Sequence, residues 1–159
     1  MTIFRIALAF VFGCCIFTSV AHAEPYDMTN CSSGETTMLV ANKELVVFGW
    51  DLKGIVQDNL DTKAFANMSY QCVGFTKIVA GKPKGQGTCK FMDKDGDFIV
   101  GDITSAPPEG TWKAFYGTGK WKGITGGGKY MYITNSKPIV DGTFQGCNRA
   151  TGTYELPKQ

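Results

Sequence analysis

The sequence predicts an all-β domain, an antiparallel sandwich or barrel, on three observations. Runs rich in β-branched and aromatic residues recur at intervals of roughly 8 to 15 residues. Turn formers separate them, at Gly81, Pro83, Pro107-Pro108-Glu109-Gly110 and Asp141-Gly142. The 3.6-residue apolar period of an amphipathic helix is almost nowhere present.

The N-terminus stands apart from that pattern. Arg5 gives a short positive start, Ile6 to Phe17 an apolar run, and Ala21-His22-Ala23 a small-x-small cleavage pattern. Residues 1–23 therefore read as a secretory signal peptide cut after Ala23. The apolar run falls short of the roughly 18 residues expected of a spanning helix, so no membrane association is expected once it is removed. Val11-Phe12-Gly13 before Cys14 faintly resembles a bacterial lipoprotein cleavage box, with bulky Phe12 where that box wants a small residue, so lipid anchoring is the minor alternative.

Residues 24–36, with Pro25, Asn30, Ser32, Ser33 and Gly34, read as an irregular N-terminal arm, and residues 37–159 as the β-domain. Within it the expected strand segments are Thr37 to Val40, Glu44 to Trp50, Phe65 to Val79, Thr88 to Met92, Phe98 to Thr104, Thr111 to Tyr116, Lys129 to Thr134, Gly142 to Gln145 and Gly152 to Leu156. No repeat, low-complexity tract or interdomain linker interrupts them.

Charge and residue usage exclude several function classes. The formal net charge is only +2, and Arg5 leaves with the signal, so no strong field for nucleic acid or membrane remains. The single histidine is His22, also in the signal. Ser-His-Asp and Cys-His catalysis are thereby excluded, and the commonest metal ligand is missing. No cofactor motif is present.

Four of the six cysteines lie beyond the signal: Cys31, Cys72, Cys89 and Cys147. In an exported chain an even number reads as disulfides, and no C-x-x-C pair suggests zinc or redox work. Cys72 and Cys89 lie about equally far from the turn at Ala80-Gly81-Lys82-Pro83, which would make them cross-strand neighbours. Cys31 then pairs with Cys147, stapling the arm to the last hairpin.

Two motifs invite a ligand and fail its requirements. Asp93-Lys94-Asp95-Gly96-Asp97 begins like a calcium loop, but Phe98 and Thr104 stand where that loop needs Gly and a bidentate Glu. It reads as a β-turn carrying solvated carboxylates. The stretch Gly117 to Tyr130, GTGKWKGITGGGKY, lacks both the Walker spacing and a helix to follow it. Its glycines instead mark tight bends or close backbone approach within strands. The matches to the glycosylation sequon at Asn30-Cys31-Ser32 and Asn67-Met68-Ser69 matter only in a eukaryotic secretory route.

Gly117-Thr118-Gly119-Lys120-Trp121-Lys122-Gly123-Ile124-Thr125-Gly126 is similar to the G-G/T-G-x-aromatic-x-x-x-x-G segment of the dirigent and allene oxide cyclase group, and looks closest to its bacterial secreted members. The Asp93–Asp97 turn, a strand, and Gly110-Thr111-Trp112 precede it in the matching order, so the likeness covers about residues 86–134. It implies a single closed antiparallel β-barrel of about eight strands, calycin-like and of the allene oxide cyclase type. It also implies a largely apolar lumen and frequent homo-oligomers. The family's catalytic acids and arginines are not recognisable, since Arg149 is the only arginine after the signal.

Strand alternation supplies the candidate lumen residues. It groups Phe48 with Trp50, Trp112 with Tyr116, and Tyr130 with Tyr132, and leaves Lys113 and Lys129 to face water. A barrel of this size either fills with side chains or holds one small ligand. The expected function is an exported protein binding a small, mostly apolar molecule. A cyclase or isomerase acting by confinement, with Asp51, Asp97 or Asp102 as proton donor, is the alternative. An exported inhibitor or interaction protein acting through its loops is a third.

Overall fold

Eight strands hydrogen-bond to one another in chain order, and the last closes on the first to make a barrel. The computed structural model describes residues 22–158, so the expected signal lies outside the described residues except for its last two positions. The strands are β1 (Glu24–Ala41), β2 (Leu45–Asp58), β3 (Ser69–Val79), β4 (Lys82–Met92), β5 (Phe98–Ala106), β6 (Glu109–Gly117), β7 (Thr125–Ser136) and β8 (Thr143–Glu155). All neighbours are antiparallel. Among the described residues, no helix is long and apolar enough to cross a membrane.

The hairpin between β3 and β4 shows how local sequence sets register. Ala80 and Gly81 take φ of 49° and 75°, the left-handed pair of a two-residue turn whose twist matches the flanking strands. Val79 therefore faces Lys82, and seven pairs further on Cys72 faces Cys89. The two form a disulfide, as expected from the sequence. Cys31 and Cys147 form the second.

Residues 24–36 are not an irregular arm: they are the first two thirds of β1. This stretch pairs with β2 on one side and β8 on the other, through registers such as Cys31↔Ile55 and Cys31↔Cys147. Its Asn, Ser and Gly residues are poor strand formers, but two hydrogen-bonded neighbours outweigh a weak intrinsic preference. The barrel domain thus begins at Glu24, and Cys31–Cys147 fastens the seam where its first and last strands meet. The two segments expected at Gly142 to Gln145 and Gly152 to Leu156 likewise belong, apart from Gly142 and Leu156 at their outer ends, to one strand, β8, with Asn148 and Ala150 continuing its inward row.

One end of the barrel is plugged. Its stopper is the β2–β3 connection and the segment between β6 and β7, which holds a 3₁₀ turn at Gly119–Trp121. Phe65, expected in a strand, belongs to this connection. Buried Asp58 shapes it by accepting hydrogen bonds from the amides of Leu60 (2.9 Å) and Phe65 (2.8 Å). The Phe65 ring then stacks on Trp121 at 5.2 Å and meets Tyr154 edge-on at 5.1 Å. Met68 and Ile124 complete this buried end.

The Asp93 turn belongs to the same plug, and its leading carboxylate is not solvated. Asp93 is buried, accepting from the amides of Asp95 and Asp97, from Trp121 Nε1 at 3.0 Å and from Lys120 Nζ at 2.8 Å. Desolvation opposes its ionisation, yet the hydrogen bonds from Lys120, Trp121 and Asp95 win and hold its pKa down at about 2. The turn is an anchor for the Trp121 stopper, its oxygens already taken by protein donors.

Candidate functional site: the barrel lumen

Above the plug the barrel encloses a cavity of about 710 Å³. It reaches the mouth formed by the turns at the other end, where Pro107 and Pro108 sit on its rim. Among the described residues that line it, none carries a formal charge. Its wall is aromatic and aliphatic, with neutral polar groups from Asn30, Thr76, Tyr132 and Asn148 interspersed.

The lumen stays open because its rings lie against the wall, in notches left by glycines. A Cβ on Gly87 would come within 2.5 Å of the Trp50 indole, and one on Gly74 within 2.4 Å of it. Trp50 lies across this pair and donates from Nε1 to Thr76 Oγ1 at 3.2 Å, which fixes the ring along the wall. Tyr130 lies over Gly110 in the same way, where a Cβ would meet its ring at 2.1 Å. Its hydroxyl donates to the Thr104 carbonyl at 3.0 Å. Tyr70 over Gly54 and Phe144 over Gly34 repeat the arrangement. Side chains that would fill an eight-stranded interior are thus pressed into its wall.

The floor is a hydrogen bond. Trp112 Nε1 donates to the Tyr26 hydroxyl at 2.6 Å, and the two rings meet at 5.6 Å. Phe91 packs beside Trp112 at 5.9 Å and stacks with Tyr70 at 5.2 Å, continuing the aromatic wall upward. Burial pushes the Tyr26 phenol up to about 12, against the pull of the Trp112 bond. Burial also raises Tyr130, as does its neighbour Tyr132. These hydroxyls serve as hydrogen-bonding groups and are weakened as acids.

Phe48, Trp50, Trp112, Tyr130 and Tyr132 all line the cavity. Tyr116 does not: it is 53 % exposed on the outside of the barrel. A bulge is the reason. Val100 pairs with Tyr116 but Gly101 pairs with Ala114, so Phe115 is an extra residue in β6. The inward row runs Gly110, Trp112, Ala114 and then shifts by one to Gly117, leaving Phe115 and Tyr116 both outside.

The three candidate proton donors also lie away from the lumen. Asp51 accepts from Gln71 Nε2 and Asp102 from Thr88 Oγ1 on the outer surface. Asp97 sits at the plugged end, near Thr118 Oγ1 and the amide of Lys120. Arg149 is on the exterior as well, clamping β8 to β1 through two hydrogen bonds to Asp27. Those bonds hold the Asp27 carboxyl below its ordinary range.

Alternation alone missed several lining residues, Asn30, Tyr70, Cys72, Cys89, Phe91 and Phe144 among them. Tyr70 and Phe91 are the fifth residues of the inward rows counted from the β3–β4 turn, signalled in the sequence by Cys72 and Cys89 two positions nearer the turn. Asn30 had no such signal once its segment was read as irregular. Because its side chain faces the lumen at 6 % exposure, the first sequon is closed to a glycan.

The closed eight-stranded barrel is similar in fold to a dirigent protein. The solved structure described as that of the pterocarpan synthase dirigent protein GePTS1 superposes with a TM-score of 0.54, over 90 % of this chain and 91 % of that one. Sequence identity across the match is 10 %, so the likeness is one of fold. No family model matches the sequence, and no curated protein does. The two disulfides fit an oxidising, extracellular environment.

Proposed function

We propose that this is an exported protein, of the bacterial secreted type, that holds one small, mostly apolar and uncharged molecule in its barrel lumen. The observation that carries the reading is the uncharged cavity kept open by rings seated in glycine notches. Its volume of about 710 Å³ lies within the range of small-molecule sites, roughly 300–1,000 Å³. The N-terminal signal pattern and the two disulfides support export.

A confinement cyclase is the second reading, favoured by the fold likeness to a dirigent protein described as a pterocarpan synthase. It would have to work by shape. No carboxylate lines the cavity among the described residues, and burial weakens Tyr130 as an acid. Binding without proton transfer therefore accounts for more of the site.

The test is a titration of the folded protein with an apolar fluorescent probe. One probe per chain should bind, quench tryptophan emission and raise the melting temperature. Linkage sets the stabilisation at about 2.7 kcal/mol when the probe is at a hundredfold excess over its Kd. Tyr130→Ala should weaken binding. Silence in the wild-type protein, with binding appearing only in that variant, would mean that the lumen is closed to ligands.

A further inference from the structure

Among the described residues, two polar atoms in the lumen wall have no hydrogen-bond partner: Asn30 Oδ1 and Tyr70 Oη. Both residues line the cavity and both are 6 % exposed. Leaving a buried polar group unsatisfied costs about 1–3 kcal/mol, and two such groups occur here in one patch of wall.

The strand registers put them together. On β2, Gly54 faces Ser32 of β1 on one side and Tyr70 of β3 on the other. The Tyr70 ring lies across the Gly54 notch, where a Cβ would come within 2.7 Å of its edge. Its phenol is thereby carried toward Ser32, two residues from Asn30 on the same inward row. The Ser32 hydroxyl draws on the Tyr70 phenol, but its geometry falls short of a hydrogen bond. Asn30 meanwhile donates from Nδ2 to Asn148 Oδ1 at 3.1 Å, which turns its amide so that Oδ1 is the atom left over.

We propose that Asn30 and Tyr70 form a recognition site for one hydroxyl of an otherwise apolar, uncharged ligand. The ligand O–H donates to Asn30 Oδ1, and its oxygen accepts from the Tyr70 phenol. Burial keeps that phenol protonated and therefore a donor. An anion would meet the Asn30 acceptor with no cation in the lining, and a cation would find no carboxylate. Both polar atoms are covered by their own neighbours, so the ligand reaches them through a small displacement of the Tyr70 phenol, with the Asn30 amide held by Asn148. A hydrogen bond made there relieves an existing deficit.

This inference rests on the lumen-binding reading, and one calorimetric series separates the two. The probes are 2-naphthol, 2-methylnaphthalene and 2-naphthoate, matched in ring size and differing in the hydroxyl and the charge. Wild-type protein should bind 2-naphthol about tenfold more tightly than 2-methylnaphthalene, as about 1.4 kcal/mol requires, and 2-naphthoate least well. Tyr70→Phe and Asn30→Leu should each reduce the preference for 2-naphthol over 2-methylnaphthalene from about tenfold to about one. Tyr70→Phe keeps the ring in its notch, so it carries the test if Asn30→Leu fails to fold. Equal wild-type affinity for 2-naphthol and 2-methylnaphthalene would overturn the hydroxyl site and leave the lumen reading standing. No binding of any of the three would overturn both.

Discussion

The Trp112 indole N–H donates to the Tyr26 hydroxyl at 2.6 Å, joining β6 to β1 across the barrel although the two strands are not neighbours in the sheet. This bond divides the plugged end from the open lumen. Tyr26→Phe leaves the buried indole donor unpartnered while keeping the ring contacts to Phe65 and Trp112. The expected loss is about 1–3 kcal/mol of folding stability, measured by urea denaturation. A loss below about 0.5 kcal/mol would mean that the floor is held by ring packing alone.

The glycine notches make a sharper prediction. In Gly87→Ala the new methyl lands 2.4 Å from the Val73 carbonyl oxygen and 2.5 Å from the Trp50 ring. Either the strand shifts or the indole swings into the lumen. The variant should lose about 1–3 kcal/mol of stability, bind the apolar probe more weakly, and show a changed tryptophan spectrum. Unaltered probe affinity at reduced stability would show that Trp50 does not set the lumen width.

Acid stability follows from Asp93. Its folded pKa, about 2, lies below the ordinary 3.8, so the ionised carboxylate stabilises the fold. That contribution is fully present above about pH 4 and is lost as the pH falls toward 2. At most about 2 kcal/mol is involved. Asp93→Asn should flatten the difference in stability between pH 5 and pH 2.5, read from thermal melts. An unchanged acid slope in the variant would move the acid sensitivity to other carboxyls.

The two disulfides should contribute unequally. They close chain separations of 116 and 17 residues. Loop-closure entropy alone makes Cys31–Cys147 worth roughly 1.7 kcal/mol more than Cys72–Cys89. Paired Cys→Ser variants compared by guanidinium denaturation test this, and peptide mapping without reduction should find no free thiol in the parent. An equal or reversed ranking would show that Cys72–Cys89, packed in the lumen wall, stabilises mainly through its contacts.

The strand-and-turn rhythm, the Cys72–Cys89 pair and five of the six candidate lumen aromatics were legible in the sequence, because each depends on alternation about a turn whose residues announce it. Ala80-Gly81 shows this best, since one local turn sets the register of two whole strands. Tyr116 was misplaced because a one-residue bulge at Phe115 leaves no mark in composition and reverses every side chain beyond it. Residues 24–36 looked irregular for a related reason. Their Asn, Ser and Gly content argues against a strand in isolation, and only β2 and β8 on either side supply the hydrogen bonds that make one.

By itself, then, the sequence determined what acts between near neighbours along the chain: the period-two pattern, the hairpin turns and the cysteine pairing across one of them. Tertiary structure alone decided whether the lumen is filled. That outcome depends on which glycine lies opposite which ring, such as Gly110 beneath Tyr130 or Gly54 beneath Tyr70. Such partners are set by strand registers between segments distant along the chain. Whether an aromatic side chain packs into a wall or projects into a void is a property of the space beside it, which no single strand contains.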